Sequence, residues 1–250
     1  MPKISAIIEA RANSCRLPKK ILLKINKKTI LEHLVNKLKK SKNLNTIIIA
    51  TTLNNSDDQI VEIAKKLKVK FFRGDETNVL KRVIDAANHF KVDVIVRITS
   101  DCPLIDVNIV DQLINIFKNN KVDLVGNAKV RSYPDGMDVE IIRFKSLKKS
   151  YKFAKNDYLR EHPSLTIYKK KNLFKIINII APPKEFFPNM HLTLDEYQDF
   201  VLIKKIIQYS QLIGKNLNCS EIIELVNKNN WHKINKKINR LKHSVYVYNN

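Results

Sequence analysis

The chain has 250 residues, with enough apolar material for a sizeable core, and a formal net charge of +22 from 46 Lys and Arg against 24 Asp and Glu. No apolar segment approaches the ~20 residues that cross a bilayer, and the opening Met-Pro-Lys leads into a short apolar run broken by Glu9. Neither a membrane span nor a signal peptide is expected, and a cytoplasmic protein is. The scattered Cys15, Cys102 and Cys219 give neither a disulfide framework nor paired zinc-ligand spacing.

The first predicted element is a strand over residues 4–10, and directly behind it lies Arg11-Ala-Asn-Ser-Cys-Arg-Leu-Pro-Lys-Lys20. Cations on the loop that leaves the first strand of an open α/β sheet imply a polyphosphate ligand. The loop is neither G-x-G-x-x-G nor a P-loop, so side-chain charge has to replace a glycine cradle. Thr29 with Glu32 reads as a capping box opening a helix whose Ile30, Leu31, Leu34, Val35 and Leu38 share a face. A strand over 46–51 follows, then a helix starting at Ser56 with Gln59, a strand over 69–73 and a helix carrying Val79, Leu80, Val83, Ala87 and Phe90. The alternation continues with a strand over 94–98, a helix after Asp106 and a strand over 122–126. Such alternation marks βαβ units, so the expected fold is α/β with a doubly wound, mostly parallel sheet.

After Gly126 the rhythm changes. Extended or mixed segments over 137–144, 165–168 and 174–180, with prolines at 134, 163, 182, 183 and 188, read as an excursion of mixed β character. The doubly wound pattern is expected to resume over 191–194 and lead into a helix from about Glu196. A further helix follows Ser220, and 231–250 has no clear period and reads as a C-terminal tail.

Three segments sit at strand ends and could meet at the carboxyl edge of the sheet: 11–20, 97–106 and 192–199. Asp101 could hold a hard cation that in turn binds phosphate oxygens, or be a turn aspartate before Cys102-Pro103. Asp195 could supply a second carboxylate, or cap a helix with Gln198; Thr193 with Glu196 could make the same cap. Mg²⁺ needs only one or two protein carboxylates beside substrate phosphates, so two aspartates suffice for metal-assisted attack on a nucleoside triphosphate.

Read together, Arg11-x-x-Ser14-x-Arg16-Leu-Pro-x-Lys20, Gly74-Asp-Glu76 with Val79-Leu-x-Arg82, Arg97-Ile-Thr-Ser-Asp101-Cys-Pro, Tyr133-Pro-Asp-Gly-Met-Asp-Val-Glu140, Arg160-Glu-His162 and Leu194-Asp195-x-x-x-Asp199 occur in order. This resembles the cytidylyltransferases of the spore coat polysaccharide biosynthesis protein F type, relatives of the CMP-3-deoxy-manno-octulosonate and CMP-sialic acid synthetases. The resemblance runs from the first strand to about Phe200. It implies a nucleotide-diphospho-sugar transferase fold, CTP as donor, Mg²⁺ as cofactor, an acidic sugar as acceptor and a homodimer. Residues 1–250 then form one nucleotidyltransferase domain, with 127–190 as its acceptor and dimerisation subregion.

The resemblance also assigns roles. Arg11, Ser14, Arg16 and Lys20 grip CTP; Arg97 and Thr99 flank the nucleotide; Asp101 and Asp195 hold the metal. Arg16, Lys20 and Asp101 carry the chemistry, and Asp138, Glu140, Arg160 and His162 face the acceptor. For His162 a structural place before Pro163 competes, and Asp138 and Glu140 are expected to share one face of a strand. One departure is Lys19, where the family has a glycine.

Two rivals are weighed against this reading. A glycosyltransferase of the same general fold would need less cationic charge behind its first strand. A basic nucleic-acid-binding module would show a motif and a striped charge, whereas this charge is diffuse lysine such as Lys169-Lys170-Lys171, so no specific nucleic acid is expected.

Overall fold

Apolar Ile4, Ala6, Ile7 and Ile8 in one short run favour a fully buried strand over a half-exposed one, and Ile4–Glu9 is β1 of the computed structural model, which describes residues 2–236. A tight hairpin of β2 (Lys24–Ile25) and β3 (Lys28–Thr29) precedes α1 (Ile30–Leu38), whose Thr29–Glu32 capping box forms as expected. Next come β4 (Thr46–Thr52), α2 (Asp58–Lys66), β5 (Lys70–Gly74), α3 (Val79–His89), β6 (Val94–Thr99), α4 (Val107–Lys118) and β7 (Leu124–Gly126). The excursion supplies β8 (Glu140–Arg143), α5 (Phe144–Tyr151), α6 (Asp157–Glu161), α7 (Leu165–Lys169) and β9 (Ile176–Asn178). The chain then adds α8 (Tyr197–Leu212) and α9 (Cys219–Lys228).

The main sheet has the order β5-β4-β1-β6-β8-β7-β9. β1, β4, β5 and β6 pair in parallel, β8 runs antiparallel to both β6 and β7, and β9 is parallel to β7. The mostly parallel sheet with a mixed excursion is thus present, with helices on both faces. Alternation along each strand divides the core: Ala6, Ile8, Ile49, Val96 and Ile141 meet α1, α4, α8 and α9, whereas Ile7, Ile48, Ile95 and Ile142 meet α3 and α5. The chain winds from β1 outward through β4 and β5, then returns to place β6 on the other side of β1. A crevice opens at that reversal, outside the carboxyl ends of β1 and β6.

Four local expectations are corrected. Ser56 does not cap a helix; a 3-10 turn over Asn55–Asp57 comes first and α2 starts at Asp58. Residues 165–168 are helical, in α7, and all four are buried, which removes the one-sided stripe by which a helix is read. No strand forms over 191–194 among the described residues; that stretch makes a single bridge, His191 to Asp135. Finally, α8 is capped by Glu196 with Asp199, so neither Asp195 nor Thr193 serves as its cap. The expected tail begins with a 3-10 turn, Trp231–Lys233, and a buried Asn235, while 237–250 lies outside the described residues. No helix among the described residues is long and apolar enough to cross a membrane.

Candidate active site

The crevice gathers three segments, and backbone bonds hold them. Leu194 N–H donates to Asp101 O at 2.9 Å, so the stretch carrying Asp195 is tied to the turn that carries Asp101. On its other side, Asp135 N–H donates to Met190 O and Leu192 N–H to Asp135 O. Gly136 (φ +100°) makes this approach possible, because a Cβ there would lie 2.8 Å from the Leu192 carbonyl carbon and the Thr193 nitrogen. Asp199 accepts from the Asp195 and Glu196 N–H groups and from Asn235 Nδ2, which satisfies the start of α8 and leaves the Asp195 carboxylate for the crevice.

The basic loop is fixed from the opposite side. Ala12 N–H donates to the buried Asp57 carboxylate at 2.7 Å, and the same carboxylate accepts from the Thr51 hydroxyl and from the Thr52 hydroxyl and N–H. These four bonds outweigh the burial of Asp57 and hold its carboxyl below the usual range. Lys19 adopts φ +55°, the left-handed conformation that glycine adopts without strain. The following 3-10 turn, Lys20–Leu22, buries Ile21 and aims Lys20 inward.

At the centre, the Lys20 ammonium donates to Asp101 Oδ2 at 2.7 Å and to Asp195 Oδ1 at 3.0 Å. Arg16 Nη2 reaches the same Asp195 oxygen at 2.6 Å. Burial disfavours the charged lysine, but the two carboxylates outweigh it and raise its pKa to about 12. Burial likewise opposes the Asp101 charge, and Lys20 prevails and lowers that pKa. Of the remaining loop residues, Ser14 is half-buried and Arg11 is exposed, 3.7 Å from Glu161. Thr99 lies 3.2 Å from Cys102 Sγ, beside Asp101. Two hard carboxylate oxygens within about 3 Å of one cationic nitrogen are the donor set that Mg²⁺ shares with substrate phosphates. They form no group of three or more potential protein ligands among the described residues, and Mg²⁺ needs none.

Arg97 and Glu140 require correction. Arg97 is 7 % exposed; it pairs in a fork with Glu9 and at 2.7 Å with Glu140, which is 2 % exposed. The register explains this: Arg97 lies opposite Glu140 across β6 and β8, and Glu9 lies on the neighbouring β1. Both side chains are buried and engaged in this pairing, so neither is presented to a nucleotide or an acceptor. Asp138 precedes β8 and turns to Arg131, which lies 3.1 Å from it and 3.2 Å from Asp135; His191 Nδ1 is 3.4 Å from Asp135. Burial, with Asp135 and Glu140 adding to it, outweighs Arg131 and pushes the Asp138 carboxyl up to about 7. Arg160 lies on α6, donating to Ala154 O and 3.8 Å from Asp157. His162 packs edge-on against Tyr158, and its pKa is lowered by burial.

Sequence reasoning missed Asp57, Arg131 and His191. Asp57 sits in Asn54-Asn-Ser-Asp-Asp58, which reads as an ordinary polar turn. Arg131 carried a usable signal, since arginine is scarce in this chain and it stands among the lysines of the excursion.

Residues 5–247 match the family described as cytidylyltransferase. A structure of a cytidylyltransferase from Leptospira borgpetersenii serovar Hardjo-bovis superposes with a TM-score of 0.89 at 33% identity, covering 95% of this chain and 99% of that one. The spore coat polysaccharide biosynthesis protein SpsF of Bacillus subtilis is 29% identical over 241 residues, 92% of this chain and 96% of that protein. A 3-deoxy-manno-octulosonate cytidylyltransferase of Solibacter usitatus is 32% identical over 131 residues, 52% of this chain and 50% of its own length.

Proposed function

This chain belongs to the cytidylyltransferase family and is a CTP-dependent nucleotidyltransferase, and we propose that it transfers CMP from CTP to a hydroxyl of a 2-keto-3-deoxy sugar acid, releasing pyrophosphate. The observation that carries this reading is the meeting of Lys20, Asp101 and Asp195 at the sheet's reversal point. The partial likeness to an octulosonate cytidylyltransferase supports the acceptor class.

Arg11, Ser14, Arg16 and Lys20 bind the triphosphate, and Thr99 borders the nucleotide. Arg16 and Lys20 neutralise the pyrophosphate as it departs. Asp101 and Asp195 hold Mg²⁺, which when bound supplies Lewis-acid polarisation of phosphate oxygens. Asp138 and the Arg131–Asp135–His191 set orient the acceptor, with Arg160 and His162 at the outer rim. Arg131, 3.1 Å from Asp138 and 3.2 Å from Asp135, is the cation of this set and serves the acceptor carboxylate. Residues 127–190 form the acceptor subregion and the homodimer contact within one nucleotidyltransferase domain. The product serves surface polysaccharide or glycan synthesis in the cytoplasm.

A pyrophosphate-release assay with CTP, Mg²⁺ and a panel of ulosonic acids, set against aldose 1-phosphates, tests the reading. Release that depends on an ulosonic acid supports it. Release only with aldose 1-phosphates rejects the acceptor class.

A further inference from the structure

Lys20 has two roles that one position cannot fill at the same time. Its ammonium lies within 3.0 Å of both Asp101 and Asp195, where a divalent ion shared by those carboxylates would have to sit. As a phosphate ligand it must instead face the triphosphate. From this geometry, and resting on the proposed metal and triphosphate sites, we infer that Lys20 is an exchange cation: the acidic pair accepts a divalent ion only together with a polyphosphate that draws Lys20 away.

Charge balance gives the reason. Asp101 and Asp195 are matched by Lys20 and Arg16, so the protein's own cations neutralise the pair. A divalent ion arriving alone must displace an ammonium whose side chain is 13% exposed, between carboxylates 21% and 15% exposed, and leave that ammonium without an anion. A triphosphate changes the balance. It offers Lys20 and Arg16 new anionic partners, and the two abandoned carboxylates then lack a counter-ion that only the incoming metal replaces. Arg16 contributes less to the barrier, since its side chain is 49% exposed and its pairing is screened by water.

The coupling must be reciprocal: whatever factor the nucleotide adds to metal affinity, the metal adds to nucleotide affinity. Mn²⁺ binding to the full chain, followed by the loss of the free-ion electron paramagnetic resonance signal after subtraction of the Mn²⁺ that α,β-methylene-CTP chelates in protein-free controls, reads this with and without that analogue. Wild type should bind Mn²⁺ at least about tenfold more weakly alone than with the analogue. In Lys20→Met the vacated pair should take Mn²⁺ alone, at least about tenfold more tightly than wild type, and the coupling to nucleotide should shrink. Mg²⁺ alone should then raise the Tm of Lys20→Met but leave that of wild type unchanged.

Wild type binding Mn²⁺ equally well with and without the analogue overturns the inference while leaving the metal site standing. A folded Lys20→Met that binds Mn²⁺ no better than wild type also overturns it. If that variant does not fold, the two wild-type titrations decide alone. Binding of Mn²⁺ under neither condition removes the proposed metal site, and the inference with it.

Discussion

Two ion clusters in this molecule each centre on one cation held between two carboxylates, and they have opposite characters. Glu9–Arg97–Glu140 lies inside the sheet, its three side chains 11%, 7% and 3% exposed, on strands whose register fixes every partner. Asp101–Lys20–Asp195 lies at the sheet edge, outside the strands, its side chains 21%, 13% and 15% exposed. Arginine suits the interior because its planar fork satisfies two carboxylates at once and it never deprotonates. Lysine suits the edge because a point charge on a flexible stem can turn from carboxylate to phosphate. Burial and backbone register make the first cluster a permanent part of the fold; loop placement makes the second available to a ligand.

Breaking each cluster should separate these roles. Asp101→Asn should lower kcat by about a thousandfold, measured by pyrophosphate release, with the urea midpoint of unfolding little changed. Arg97→Met should do the reverse: two buried carboxylates lose their cation, and stability should fall by about 3–5 kcal/mol, measured by urea unfolding.

Gly136→Ala tests whether backbone contact, rather than the ion pairs, sets the edge cluster. Its Cβ would strike the Leu192–Thr193 backbone at 2.8 Å from a positive φ, so stability should fall by about 1–3 kcal/mol. Unlike Arg97→Met, it should also lower kcat, because the displaced segment carries Asp195.

Asp138 adds a pH dependence. Its carboxyl is raised to about 7, so between about pH 4 and 7 the native state holds a proton that the unfolded chain has released. Stability from this group is therefore present below pH 4, is lost progressively up to about pH 7, and is level above. In Asp138→Asn that decline should disappear, so the variant should gain on wild type as pH rises through this window in urea unfolding. The smallest effect belongs to Lys19→Gly. Relief of a left-handed lysine, about 1–2 kcal/mol, exceeds the added entropy of an unfolded glycine, about 0.5–1 kcal/mol, so Tm should rise slightly.

Much of this was legible in the residues. Apolar runs of strand length and helices with one apolar stripe specify alternating β and α elements, because burial of one face depends only on local spacing. The Thr29–Glu32 cap could be read for the same reason. The short α7 could not, since four of its five residues are buried and leave no one-sided stripe. Arg97 and Asp101 looked alike in sequence, two charged residues at a strand end; only register shows that one meets Glu140 and the other Lys20.

By itself the sequence determined the α/β class, the cationic loop behind the first strand and the two aspartates as candidates, because composition and periodicity are local properties of the chain. The tertiary structure decided which charges oppose one another: Asp195 against Lys20 across 175 residues, Arg97 against Glu9 across 88, and Asp57 beneath the loop. An ion pair depends on distance in space, and that distance is set by strand order and by the turn at Gly136, which bring together residues far apart in the chain.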